Sequence, residues 1–213
     1  MLEHGEITYF IQLCIEQPWK EKIKHSIDLK IINKINLNLW VTPLKGPLEK
    51  ETITKIWCGL SKPVYMRACL PKQGYTPGQL IKIWVDVKNL SNVDIKQIRA
   101  NLMKTVIFTC IEKIQKVKTK KIITMEKEVT SSGIAKYNSQ SMELVLEVPQ
   151  IASTLNGYCR VFVVSYELHI FADMAGGHRK SDICLPIVIG DVPIVTDQTF
   201  AASGPAILSV SNL

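Results

Sequence analysis

The stretch GYTPGQLIKIWVDVKNLSNVDIKQI, residues 74–98, decides the fold class of this protein. It opens on Thr76-Pro77-Gly78, a turn composition in which proline presets φ and glycine tolerates a positive φ. Residues 80–88 then alternate, with Ile or Val at positions 81, 83, 85 and 87 and mostly polar residues between them. This period of two predicts a β-strand that buries one face and exposes the other.

The same stretch predicts a corner after the strand. The tetrapeptide NLSN at residues 89–92 breaks the alternation, and its Asn and Ser side chains can bond to nearby backbone where a strand ladder stops. The extra residues after Ile95 shift the phase of the next strand, which indicates a β-bulge or a bend between two sheets. Lys104 falls on the apolar side of that strand, where it needs a partner or an edge position.

Short alternating segments between Gly, Pro and Asn corners continue along the chain. They predict an all-β sandwich from about Leu60 to Gly190, with almost no helix. Residues 41–52 and 131–140 are rich in turn formers and are predicted to be connectors. The pattern predicts these core side chains: Ile83, Val85, Leu102, Phe108, Leu144, Leu146, Phe162, Val164, Tyr166 and Ile187.

The composition limits the class of protein. The chain has 213 residues, 46% hydrophobic and 21% charged, which is close to an ordinary globular mixture. No apolar run approaches the roughly 20 residues of a membrane span, and the N-terminus does not read as a signal peptide. The six cysteines form no Cys-x-x-Cys pair and have no histidine at ligand spacing, so no metal site is predicted. A cytoplasmic location is expected.

No catalytic site and no cofactor are predicted either. The chain contains no G-x-S-x-G, H-E-x-x-H, P-loop or G-x-G-x-x-G sequence. His169 could face Asp173 across a turn, but a lone histidine in a strand is more often a surface residue than a base. Nucleic-acid binding is not expected, because the lysine-rich run has no aromatic residue interleaved with its charges.

The lysine-rich run at residues 111–129 is predicted to form two exposed strand arms around a basic turn. The net charge of +7 favours acidic partners, and the run concentrates that charge. Its expected contacts are an acidic protein tail or an anionic lipid surface, and the alternative is a merely solvated turn. The candidate contact residues are Lys113, Lys116, Lys118, Lys120 and Lys121.

Five segments, taken in order, resemble the arrestin-domain-containing proteins, the α-arrestins related to thioredoxin-interacting protein. The stretch from Gly74 looks like the start of their C-terminal domain, and CGLSKPVYMRACLPKQGY (58–75) looks like the segment leading into it. DICLPIVIGDVPI (182–194) is similar to the family's terminal strand. GEITYFIQLCIEQPW (5–19) and INLN (35–38) resemble the end of its N-terminal domain.

The resemblance implies an immunoglobulin-like β-sandwich of the arrestin C-terminal type, preceded by a few strands of an incomplete N-terminal sandwich. The expected division is a remnant of the N-terminal domain and linker at residues 1–50, the sandwich at 51–195 and a flexible tail at 196–213. Only the last N-domain strands are matched, so the chain is expected to be a fragment, a short isoform or a diverged member.

The resemblance also implies a non-enzymatic adaptor. Such a scaffold would bind the cytoplasmic parts of membrane proteins and trafficking machinery, in the cytoplasm or peripherally at the plasma membrane or endosomes. Recruitment of a ubiquitin ligase, which the family would imply, is put in doubt because the chain has no Pro-Pro-x-Tyr motif. The alternative is a truncated structural β-sandwich that lacks both ligase-recruiting and cargo sites.

Overall fold

The structure is a computed structural model of the 213-residue chain. It describes residues 8–29, 31, 34–39, 44–56, 61–111, 117–155, 159, 161–177 and 181–195. These residues divide between two compact units, Met1–Lys34 and Ile35–Leu213.

The described residues form eleven β-strands and no α-helix, apart from two short 3₁₀ turns at Leu37–Leu39 and Ala175–Gly177. The strands of the first unit are β1 (Tyr9–Ile15) and β2 (Ile23–Leu29). Those of the second unit are β3 (Leu48–Thr54), β4 (Val64–Leu70), β5 (Gly74–Tyr75), β6 (Leu80–Asn89), β7 (Ile95–Ile111), β8 (Val117–Ile134), β9 (Ser139–Glu147), β10 (Phe162–Met174) and β11 (Ser181–Ile189).

The second unit is a sandwich of two sheets. One sheet has the order β5-β11-β10-β7-β8, and the other has the order β3-β4-β6-β9. All neighbours are antiparallel except the short parallel pair of β5 and β11. The prediction of an all-β sandwich is therefore confirmed.

The turn and the corner of the opening stretch both form as the sequence predicts. Gly78 has a φ of 83°, and the backbone N–H of Gln79 donates to the carbonyl of Thr76, as expected for a tight turn with proline at its second position. Asn89 is fully buried at the corner, where its amide donates to the carbonyls of Val93 and Ala135. The chain then enters the other sheet, so the phase shift after residue 95 marks a change of sheet.

A β-bulge accompanies this change of sheet. Along the pairing of β7 with β10, Asp173 is opposite Gln97 and Met174 is opposite Ile95, so Lys96 is the extra residue. A bulge of this kind bends the strand and increases its twist.

The core fills the space between the two sheets. Eight of the ten predicted core residues are buried there, including Ile83, Leu102 and Tyr166. The prediction was wrong for Phe108 and Phe162, which are only partly buried. The two residues pair at the last rung between β7 and β10, beside the half-exposed Val161, and Phe162 packs against the buried core residues from this position.

Two predicted connectors are partly strand. β3 begins at Leu48, β8 extends to Ile134 and β9 begins at Ser139, so residues 48–52, 131–134 and 139–140 belong to sheets. Gly133 lies against the carbonyls of Ile95 and Lys96, and a Cβ atom there would overlap them. Glycine at this position therefore permits close backbone approach beside the bulge, although the sequence indicates a loop.

The segment before β3 is held by the residues that follow β11. Asn36 forms a parallel bridge with Val192, and the carboxylate of Asp191 accepts a 2.7 Å hydrogen bond from the N–H of Ile35. Leu37 is fully buried against Leu44 and Ile194. The compact unit of the sandwich thus begins at Ile35, and the domain limits drawn from the sequence stay a prediction.

The first unit is an antiparallel hairpin of β1 and β2. Each of its strand residues is exposed. One face is largely apolar, because Ile11 pairs with Ile27 and Ile15 with Ile23 in the register. Ile11 and Ile27 are 61% and 59% exposed, because a two-stranded hairpin alone cannot cover its own apolar face.

We expect the amides of Ile11 and Leu13 to exchange with solvent far faster than those of Ile83 and Val85. A two-stranded hairpin is marginally stable alone, whereas β6 lies within a four-stranded sheet over a packed core. Hydrogen exchange on a dilute monomeric sample would measure the difference. If the amides of Ile11 and Leu13 exchange as slowly as those of Ile83 and Val85, the hairpin is stably packed and the prediction is wrong.

Candidate docking surfaces

The first candidate surface is the basic arm, defined as residues 107–111 of β7 and 117–121 of β8. Lys120 and Lys121 are both exposed on β8, and Lys118 lies in the same strand opposite Cys110. Lys113 and Lys116 lie outside the described residues. Strands therefore form on both sides of residues 112–116, as predicted for the two arms.

The register divides these lysines between two faces. Lys120 is opposite Phe108 and Lys121 is opposite Ile107, so neighbouring lysines point to opposite sides of the sheet. Phe108 is next to Phe162 of β10, with ring centroids 6.3 Å apart. The lysine-rich run has no aromatic residue of its own, but sheet pairing places two phenylalanines beside it. Sequence separation conceals this neighbourhood, and no local signal in the run reveals it.

Lys104 has the partner that its inward position requires. Its ammonium lies 3.4 Å from the carboxylate of Glu126, and both side chains are less than a third exposed. The register of β8 against β7 shifts between Leu102 and Met103, which makes Glu126 the extra residue of a bulge. The bulge re-aims this carboxylate towards Lys104.

The second candidate surface is the acidic face, defined as the outward side chains of β3, β4, β6 and β9. Five large apolar residues on this face are exposed by 40–60%. They are Ile53, Tyr65, Leu80, Trp84 and Val145. No pattern in the sequence reveals this surface, because its members come from four strands whose order is visible only in the sheet.

The charge of the acidic face is opposite to that of the whole chain. Its acidic residues are Glu49, Glu51, Asp86, Glu143 and Glu147, and its basic residues are Arg67, Lys82 and Lys88. The chain as a whole has 26 basic and 19 acidic residues. Five carboxylates against three cations therefore make this face locally negative on a positive protein.

Two of the three cations are already paired on this face. The guanidinium of Arg67 donates to Glu49 at 2.7 Å, and this hydrogen bond lowers the pKa of Glu49 and raises that of Arg67. The ammonium of Lys82 lies 3.5 Å from Glu143. Within the described ranges, no cationic side chain lies within 4 Å of Asp86 or Glu147.

A groove of about 420 Å³ runs across the acidic face. Residues of all four strands line it, among them Ile53, Tyr65, Arg67 and Asp86. Its volume lies at the lower end of the range for ligand pockets, which suits a few side chains of a partner.

His169 does not pair with Asp173, the acid considered from the sequence. Its Nε2 lies 3.1 Å from Glu167 and its Nδ1 lies 3.5 Å from the thiol of Cys184. Asp173 instead accepts two hydrogen bonds from Arg99. Burial, assisted by the charges of Glu167 and Asp182, raises the pKa of the Cys184 thiol, which opposes formation of a nucleophilic thiolate.

Among the residues that the structure describes, no three His, Cys, Asp or Glu side chains are arranged to hold a metal ion. Nor does the described part of the chain contain a helix long and apolar enough to cross a membrane.

Comparison with known proteins gives one family. Residues 60–194 match the family model "Arrestin (or S-antigen), C-terminal domain". The chain is 24% identical to mouse arrestin domain-containing protein 4 and 25% identical to the human protein of that name, over 194 residues. It is 22% identical to rat arrestin domain-containing protein 1 over 204 residues. Each alignment covers at least 90% of this chain but only 44% of the relative.

The family match begins just before β4 and ends after β11, so it coincides with most of the two-sheet sandwich. The resemblance noted in the sequence is therefore confirmed. Because the match covers more than half of the residues, the chain belongs to the arrestin family through a C-terminal arrestin domain.

Proposed function

We propose that this chain is a non-enzymatic adaptor that binds the cytoplasmic parts of membrane proteins and trafficking partners. It acts in the cytoplasm and peripherally at the plasma membrane or endosomes. The chain spans less than half of several relatives, so this function is proposed for the described domain and not carried over from the whole relatives. Recruitment of a ubiquitin ligase is left out, since the chain has no Pro-Pro-x-Tyr motif.

One observation carries the proposal. The sandwich presents two exposed surfaces of opposite charge, the basic arm and the acidic face, on separate sheets. An adaptor needs two such surfaces in order to join two partners, and charge complementarity sets which partners approach each surface.

Proximity labelling in cells tests the adaptor function. The chain fused to a labelling enzyme should enrich membrane proteins labelled on their cytoplasmic segments, relative to an unrelated β-sandwich of similar size and net charge. Equal enrichment by both fusions would favour the alternative, a structural sandwich without cargo sites.

The basic arm is proposed to contact anionic membrane surfaces. A lysine near such a surface contributes about 1 kcal/mol. Lys118, Lys120 and Lys121 of the arm, with Lys113 and Lys116 between its two strands in the sequence, should therefore together give measurable binding at low salt. We expect co-sedimentation with phosphatidylserine vesicles at about 10 mM salt, with a large loss near 150 mM because the Debye length falls from about 30 to 8 Å. Changing all five lysines to serine should abolish the binding.

A matched control variant replaces five lysines that lie outside the basic arm, so it loses the same amount of positive charge. Exposed lysines suited to serine replacement are Lys20, Lys24, Lys45, Lys55 and Lys62. This control should keep most of the vesicle binding. If both quintuple variants bind equally, or if the parent does not bind at low salt, the basic arm is only a solvated surface. An acidic peptide that competes with the vesicles would instead assign the arm to a protein tail.

A further inference from the structure

We propose that the acidic face binds a segment rich in lysine or arginine that also carries aliphatic side chains. This inference rests on the proposed adaptor function and names the chemistry of the cargo. Such segments are common next to membrane spans, because the cytoplasmic loops of membrane proteins carry an excess of Lys and Arg.

The apolar residues of the face supply the first part of the argument. Ile53 and Tyr65 are opposite each other on β3 and β4, they line the groove, and they are 60% and 40% exposed. Trp84 and Val145 add further exposed apolar surface on the same side of the sheet. Clustered exposed apolar residues rimmed by charges mark interaction sites more often than scattered ones do.

The charges supply the second part. Arg67 and Lys82 pair with Glu49 and Glu143, and the charge of Arg67 also reaches Glu51 and Asp86. Lys88 adds a third cation beside the groove, but the five carboxylates still outnumber the three cations, so the face as a whole is negative. Asp86 is exposed within the groove and has no cation within 4 Å among the described residues. An incoming lysine or arginine would provide that partner, whereas an acidic segment would meet like charges.

Aromatic rings beside the carboxylates add selectivity for cations. Trp84 and Asp86 are two residues apart on β6 and therefore share one face, and Arg67 is the cross-strand neighbour of Asp86. Indole and phenol rings attract cationic groups over their faces, and the attraction is greatest for tryptophan. The half-exposed ring of Tyr65 lines the groove, and the half-exposed ring of Trp84 lies on the same face outside the groove lining, so both offer ring surface to an incoming cation.

The probe is a fluorescein-labelled 15-residue peptide that alternates lysine or arginine with leucine, measured by fluorescence anisotropy at about 150 mM salt. We expect at least tenfold weaker binding to a double variant, Glu51→Gln with Asp86→Asn, and a similar loss for Trp84→Ala. These side chains point outward, so thermal melting should match that of the parent. A peptide with glutamate at the basic positions should bind at least tenfold more weakly than the basic peptide.

A control double variant, Glu21→Gln with Asp182→Asn, removes the same two charges from exposed positions outside the acidic face. It should bind the basic peptide within about twofold of the parent. Equal affinity of the parent and the Glu51/Asp86 variant, or equal affinity for the basic and the acidic peptide, would overturn the proposal.

The same variant separates this inference from the adaptor function. Suppose that the Glu51/Asp86 variant binds the basic peptide as well as the parent does and labels the same membrane proteins in cells. The acidic face is then not the site for basic segments, and the adaptor function stands. If the parent binds the basic peptide through this face but labels no membrane proteins, the face is supported and the proposed function fails.

Discussion

Replacing Tyr166 by alanine should lower the free energy of unfolding by about 4 kcal/mol. Tyr166 is 1% exposed in the middle of β10, between Ile187 of β11 and Lys104 of β7. Truncating a buried aromatic residue costs roughly 3–5 kcal/mol through lost burial and the cavity that remains. The substitution would also remove the 2.6 Å hydrogen bond from its hydroxyl to the carbonyl of Ala152, worth about 1 kcal/mol.

The surroundings of Tyr166 favour the protonated form of its hydroxyl, which is the form that donates the hydrogen bond. Burial raises the pKa of this phenol, and the nearby carboxylate of Glu126 raises it further. A Tyr166→Phe variant keeps the ring and loses only the hydrogen bond, so about 1–2 kcal/mol should be lost. The comparison separates the contribution of the ring from that of the hydroxyl.

Thermal melting measures both effects. For a domain of this size, about 4 kcal/mol corresponds to a fall in Tm of roughly 8–16 °C. Phe162→Ala is the internal comparison, because that ring is only partly buried and should cost less than half as much. A Tyr166→Ala protein that melts within two degrees of the parent, or a larger loss for Phe162→Ala, would contradict the assigned core.

Replacing Asn89 by alanine should cost about 3 kcal/mol. Asn89 is fully buried, and its amide donates to Val93 at 2.8 Å and to Ala135 at 3.2 Å. Its carbonyl oxygen accepts from the N–H and the hydroxyl of Ser91, at 3.1 and 2.6 Å. Alanine would leave these buried groups with fewer partners, and an unsatisfied buried polar group costs about 1–3 kcal/mol.

Urea unfolding measures this loss. The midpoint should fall while the slope stays unchanged, since the surface exposed on unfolding is nearly the same. Asn92→Ala is the matched control, because Asn92 is an exposed asparagine of the same corner and should change stability by less than about 0.5 kcal/mol. Similar midpoints for the two alanine variants would show that Asn89 does not hold the corner.

Local pattern was enough to establish the fold class. The alternation of β6 and the Pro77-Gly78 turn depend on neighbouring residues alone, and both elements form where the sequence predicts them. A period of two is a property of single strands, so it can be identified without knowing which strand pairs with which.

The same local reasoning was wrong where a distant segment overrides propensity. Ser131, Ser132 and Gly133 favour a loop, yet they continue β8 because Gly133 lies against the backbone of the bulge in β7. Phe108 and Phe162 are hydrophobic and lie on the strand face that points to the core. Only the sheet pairing shows that they sit at the end of the β7–β10 ladder, at the border of the core.

The sequence alone determined that this protein is a β-sandwich with a lysine-rich arm and a resemblance to the arrestin family. Only the tertiary structure revealed the acidic face, the aromatic neighbours of the lysines and the Lys104–Glu126 pair. Each of these features brings together residues of different strands. In the acidic face, for example, Glu49 of β3 and Glu143 of β9 are 94 positions apart in the sequence. Strand order depends on the packing of the whole chain, so no local pattern could have brought these side chains onto one surface.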